Sequence, residues 1–134
     1  MDEIVRVERA SFDYSSVLGL LYWLTYYLIY WLTSHGGFLI AEDNERVIGF
    51  AIACSLPTAQ GELAAMAVDP KYWRMGIGTR LMEEATAHLK GKGMRRIGVG
   101  VMRDNTQAID FYRRFGFHKR ARGFGIYDRM FRVI

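Results

Sequence analysis

The chain is poor in the residues that staple a fold: it has one cysteine and two prolines among 134 residues. Cys54 has no partner for an internal disulfide, no metal-ligand spacing around it and no neighbouring histidine to activate it. It reads as a small core residue, and no metal is expected. The opening Met1-Asp2-Glu3-Ile4-Val5 lacks the basic stretch and following apolar run of a signal peptide, which points to a cytoplasmic protein. No internal repeat, linker or low-complexity tract divides the chain, whose length suits one packed core; residues 1–134 are therefore expected to form a single domain. The net charge of +4 favours polyanionic partners, and its basic residues gather late, at Arg95-Arg96, Arg113-Arg114 and His118-Lys119-Arg120. No zinc-finger, helix-turn-helix or RNA-binding signature accompanies them, so they read as a solvated face and no nucleic-acid partner is expected.

What is present is the balance of an ordinary globular protein, 51% hydrophobic and 24% charged. Residues 15–34 form an uncharged run long enough to cross a bilayer when read in isolation. Tyr22, Tyr26, Tyr27 and Tyr30 put hydroxyls through its middle, however, where spanning helices avoid them.

Periodicity and turn residues divide the rest. Residues 4–9 read as a strand, then one or two helices run to Gly36-Gly37, and apolar strands at 38–42 and 47–54 flank the turn-rich Asp43-Asn44-Glu45-Arg46 as a hairpin. A fourth strand covers 62–68 and is closed by Asp69-Pro70, since proline disfavours its continuation. Ile77, Leu81, Met82, Ala85 and Leu89 have helical spacing, ended by Gly91 and Gly93. Residues 96–102 form the next strand. Asn105 caps a helix that turns Ala108, Ile109, Phe111, Tyr112 and Phe115 inward and stops at Gly116, and residues 117–134 leave room for two strands. The order predicts an α/β layer about a central sheet.

A strand ending at Val68, the loop Tyr72-Trp73-Arg74-Met75-Gly76-Ile77-Gly78-Thr79 and an immediate helix would aim several unpaired backbone N–H groups at one point. A helix N-terminus also carries partial positive charge, so a pyrophosphate fits there, and glycine lets an anion approach the backbone closely. The loop is neither a Walker A sequence nor a G-x-G-x-x-G dinucleotide fingerprint.

The wider stretch A-V-D-P-K-Y-W-R-M-G-I-G-T-R-L-M, from Ala67, resembles the acetyl-CoA-binding motif A of the GNAT acetyltransferases. Asn105-Thr106-Gln107-Ala108-Ile109-Asp110-Phe111-Tyr112-Arg113-Arg114-Phe115-Gly116-Phe117 resembles that superfamily's motif B, N-x-x-A-x-x-x-Y-x-x-x-G-F. The resemblance implies a GNAT fold, with a mixed, mostly antiparallel sheet of six to seven strands flanked by about four helices. It also implies transfer of acetyl from acetyl-CoA to a primary amine, on a protein N-terminus, a lysine or a small molecule, by direct attack in a ternary complex. Met66, Ala67 and Val68 would pair with the pantetheine arm, and Arg74, Met75, Gly76, Ile77, Gly78 and Thr79 would hold the pyrophosphate. Asn105 would touch the cofactor and Tyr112 would donate a proton to the departing thiolate. Trp73 departs from the pattern, standing where the family usually has glutamine or arginine.

For the general base the resemblance offers two positions. One, five residues before the motif B asparagine, is Gly100 here; the other, on the fourth strand, is Glu62, with Tyr127, Asp128 and His35 as further candidates. Pairing of residues 4–9 with 38–42 in one sheet, as the fold implies, brings both ends of residues 15–34 to one side and excludes a membrane span. Tyr22, Trp23, Tyr26, Tyr27, Tyr30 and Trp31 would then line an apolar or aromatic acceptor groove, form a homodimer contact, or be plain core. A non-catalytic acyl-CoA-binding sensor or assembly domain of the same fold is the alternative function.

Overall fold

The computed structural model describes residues 37–123 and 125–134. The expected first strand, the expected helices before Gly36 and the aromatic run between residues 15 and 34 lie outside them. Within the described residues the order is β1 (Gly37–Asp43), β2 (Arg46–Ser55), β3 (Gln60–Val68), α1 (Ile77–Gly91), β4 (Arg96–Met102), α2 (Thr106–Arg114), β5 (His118–Arg122) and β6 (Tyr127–Val133). The six strands form one sheet in the order β1-β2-β3-β4-β6-β5. Every neighbouring pair is antiparallel except β3 with β4, which is parallel.

The hairpin between β1 and β2 closes through Asn44 and Glu45, both at positive φ (49° and 66°), the hand that a two-residue loop needs to follow the twist of its strands. β2 is buried along nearly its whole length, as its continuous apolar run Val47-Ile48-Gly49-Phe50-Ala51-Ile52-Ala53-Cys54 requires of a strand covered on both faces. On one face Ala51, Ala53, Leu63, Ile97, Val99 and Met130 pack with Leu81, Met82, Ala85 and Leu89 of α1 and with Tyr112 of α2. The second cluster, Val47, Phe50, Ile52, Cys54, Ala64 and Ala67, includes the single cysteine; burial raises its thiol to about 11, so it is inert at neutral pH.

α1 presents one side to this core because its apolar residues recur every three to four positions. Leu89 is fully buried and fits over Gly61, where a Cβ would come within 2.8 Å of it. Gly116 does not cap α2 itself. Phe115 is the C-cap, and Gly116 follows in the left-handed conformation (φ 86°) that turns the chain into β5.

The C-terminal strands are tied to the β4–α2 turn by Asp128, which is buried at 1% exposure. It sits 2.7 Å from Lys119 of β5 and 3.1 Å from Arg103 of the turn. The Lys119 hydrogen bond, helped by Arg103, holds its carboxyl below the usual value of 3.8. A lowered folded value means that the ionised form stabilises the fold above that usual value, and that this contribution is lost as pH falls through the folded one. Asp128→Asn is therefore expected to lower the melting temperature at pH 7, with the difference from the parent shrinking below about pH 4; melts across that range check it.

Candidate active site

β3 and β4 are in register only from Gln60↔Arg96 to Leu63↔Val99. Beyond that point β3 continues to Val68 alongside β2, while β4 continues to Met102 alongside β6. Two parallel strands thus part company in mid-sheet and leave a wedge whose vertex is at Glu62 and Leu63. Met66, Ala67 and Val68, the residues expected to pair with an extended ligand, form the β3 wall of that wedge, and a ligand lying along them would be received as an added strand.

At the open end, Asp69 donates its N–H to the Ile48 carbonyl and accepts from Lys71 N–H, fixing a one-turn 3-10 helix at Pro70–Tyr72. Tyr72 reaches Asp43 of β1 at 3.1 Å. Trp73, at the departure from the motif, is 42% exposed and donates its indole N–H to the Val68 carbonyl at 2.7 Å. It closes the loop back on the strand end, which leaves the N–H groups further on as the open donors of the loop. Arg74 takes a left-handed φ of 62° and Gly76 one of 79°, and Gly76 is the N-cap of α1. No side chain caps this helix and no acidic residue stands in its first turn. The first intrahelical bond to Gly76 is that of Arg80, so the N–H groups of Ile77, Gly78 and Thr79 lie in the unpaired first turn. A Cβ on Gly76 would meet nothing within 4 Å, so the backbone there is open to an incoming anion. Lys71 and Arg74 form no ion pair among the described residues and add positive charge to the loop.

Gly78 lies against Phe111 of α2, with its Cβ position 3.4 Å from the ring, which binds the start of α1 to the second motif. Asn105 caps α2, its side-chain oxygen accepting from Ala108 N–H at 3.1 Å. Tyr112 packs against Phe111 and Phe117, each at 5.6 Å between ring centres, and belongs to the core cluster that Met66 and Val68 border. Burial pushes its phenol well above the ordinary value, so it is protonated throughout the neutral range. The two motifs are thereby brought together through the contact of Gly78 with Phe111.

Glu62 is buried at the vertex, with 6% exposure. It stands six residues from Val68, about 20 Å from that end of the strand at the strand's rise per residue. Both carboxylate oxygens accept from Arg129 of β6, at 2.5 and 2.7 Å. Arg129 has no counterpart in the sequence reading, since it lies in a stretch of weak alternation 67 residues from its partner. Of the further candidates for the base, Asp128 is held between two cations and His35 lies outside the described residues. No cluster of metal-ligating side chains occurs among the described residues, and no helix among them is long and apolar enough to cross a membrane.

Comparison with known proteins agrees with this geometry. Residues 3–117 match the model of the acetyltransferase (GNAT) family. A mycothiol acetyltransferase of Geodermatophilus obscurus is 33% identical over 91 residues, covering 63% of this chain and 30% of that protein. N-alpha-acetyltransferase 30 of Schizosaccharomyces pombe is 32% identical over 93 residues, covering 66% of this chain and 61% of that protein. The chain thus spans less than two thirds of the length of these curated relatives. Among solved structures, an N-acetyltransferase of Thermoplasma acidophilum in complex with coenzyme A superposes with a TM-score of 0.81 over 99% of this chain and 92% of its own, at 22% identity. A wedge between parallel strands, an open glycine loop at a helix N-terminus and a match over most of the chain lead to one statement: the chain belongs to the GNAT family of acetyltransferases.

Proposed function

We propose that this domain transfers acetyl from acetyl-CoA to a primary amine, on a protein N-terminus, a lysine or a small molecule, in a ternary complex. The observation that carries the reading is the continuity of the open loop at Gly76 with the wedge along Met66, Ala67 and Val68: an anion site and a strand-like slot in line. A pyrophosphate with an extended arm suits both, and the CoA complex of the Thermoplasma protein supports that choice. Acetyl-CoA would supply the activated thioester. The backbone N–H groups of Ile77, Gly78 and Thr79 would bind its phosphates, with Arg74 and Met75 shaping the loop and Asn105 alongside at the start of α2. Glu62 takes a proton from the acceptor ammonium, directly or through water. Tyr112 Oη donates a hydrogen bond to the departing thiolate.

Release of free CoA in the presence of N-terminal-amine peptides, lysine peptides blocked at the α-amine and aromatic monoamines tests the function. Turnover with one of these classes is expected. Acetyl-CoA binding without turnover on any would favour a non-catalytic acyl-CoA-binding domain, to which the departure at Trp73 lends some weight.

Glu62→Gln is expected to bind acetyl-CoA normally while its rate at pH 7 falls about a hundredfold, the lower edge of a general-base effect. The loss should disappear at high pH, because an amine with an ordinary value of about 8 to 10 then deprotonates unaided. A rate profile identical to the parent's, at subsaturating acceptor, would assign the proton transfer elsewhere.

A further inference from the structure

The glutamate at the vertex is held by a bridge that crosses the full width of β4. Glu62 of β3 is in register with Gly98 of β4, and Gly98 with Phe131 of β6. Over that glycine run two parallel N–H···O bonds, from Arg129 Nη1 to Glu62 Oε1 and from Nη2 to Oε2. A Cβ at position 98 would lie 2.5 Å from Nη2 of Arg129 and 2.8 Å from Oε2 of Glu62. Only glycine there lets the two side chains meet. The guanidinium of Arg129 is also braced from beside, 5.3 Å from the centre of the Phe131 ring, which Arg96 covers at 4.7 Å while bonding Gln60 at 2.5 Å.

A buried ion pair is a poor device for stability, because desolvation of both ions offsets their attraction. A forked, two-point contact is a good device for orientation, since it fixes the plane of a carboxylate as well as its place. The bridge sits where the strands begin to part, and Glu62 is the ionisable residue of β3 at that vertex. We infer that Arg129 is the positioning residue for Glu62, fixing the plane and place of its carboxylate at the vertex of the wedge, with Gly98 as the gap that admits the bridge. The inference rests on the reading of Glu62 as the base.

A double-mutant cycle on CoA release tests it, using the amine that turns over fastest in the panel above. Arg129→Met is expected to lower kcat about tenfold with KM for acetyl-CoA unchanged, the pattern of a lost transition-state interaction. Arg129→Lys, which keeps the charge but offers a point donor in place of a fork, should recover part of the loss. In the Glu62→Gln background the Arg129→Met change should cost less than about twofold, because residues acting as one unit are not additive. Equal losses in both backgrounds would show that Arg129 acts independently of Glu62. Full turnover in Arg129→Met beside a deficient Glu62→Gln would overturn the positioning role alone, whereas full turnover in Glu62→Gln would overturn the base assignment and the positioning with it. Melting curves of each variant identify any loss caused by unfolding, in which case Arg129→Lys decides by whether its deficit disappears in the Glu62→Gln background.

Discussion

Gly76→Glu should weaken acetyl-CoA binding at least about a hundredfold, a loss of about 3 kcal/mol at 1.4 kcal/mol per factor of ten. Two effects add. Gly76 sits at a φ of 79°, where a side chain costs about 1 kcal/mol or more. The rest comes from placing a carboxylate at a point of the loop where nothing lies within 4 Å of the Cβ position, against a ligand of the same sign. Gly76→Ala separates the two, because it carries the strain without the charge and should lose far less. Calorimetry on variants whose melting curves show them folded makes the comparison. Unchanged affinity in a folded Gly76→Glu protein would move the phosphate site away from this loop.

Tyr112→Phe should lower kcat about a hundredfold while leaving acetyl-CoA affinity within about twofold, since a donor that acts as the thiolate departs contributes little before then. Phenylalanine keeps the ring that touches Phe111 and Phe117, so the core around Met82 and Phe117 is preserved and only the hydroxyl is removed. Burial raises the phenol so far that it holds its proton at every pH in the working range. In the proposed mechanism Tyr112 would therefore act as a hydrogen-bond donor to the developing negative charge, and no limb of the rate profile near neutrality should belong to it. Equal turnover of the two forms, with chemistry shown to be rate-limiting, would remove Tyr112 from the mechanism.

The local elements were legible because their signals are local. Alternation and continuous apolar runs placed the strands around 38–42, 47–54, 62–68 and 96–102 within a few residues of the observed ends, and helical spacing placed α1. Asn105 acts as the cap that its position before an apolar-periodic run implied. The glycine loop after Val68 was visible for the same reason: a strand stop at Asp69-Pro70 and a helix start at Gly76 are both properties of neighbouring residues. Trp73 shows the boundary of that kind of reasoning. Its place in the motif identified an exception, but that its indole would seize the Val68 carbonyl depends on how tightly the loop folds back.

The sequence by itself determined the alternation of strands and helices, the strand–loop–helix turn at Gly76 and Gly78, and the pair of motifs that place the chain in its family, because each is written in residues close together along the chain. The tertiary structure alone decided how the sheet opens and what stands at the opening. Where β3 and β4 stop pairing follows from the partners each strand keeps, β2 for one and β6 for the other, and no spacing within either strand records it. Arg129 reaches Glu62 across 67 residues and over a glycine in a third strand. Such a contact is set by register and by the room between three strands. Both are products of the assembled sheet, because a side chain's long-range partner depends on every turn and bulge that lies between them.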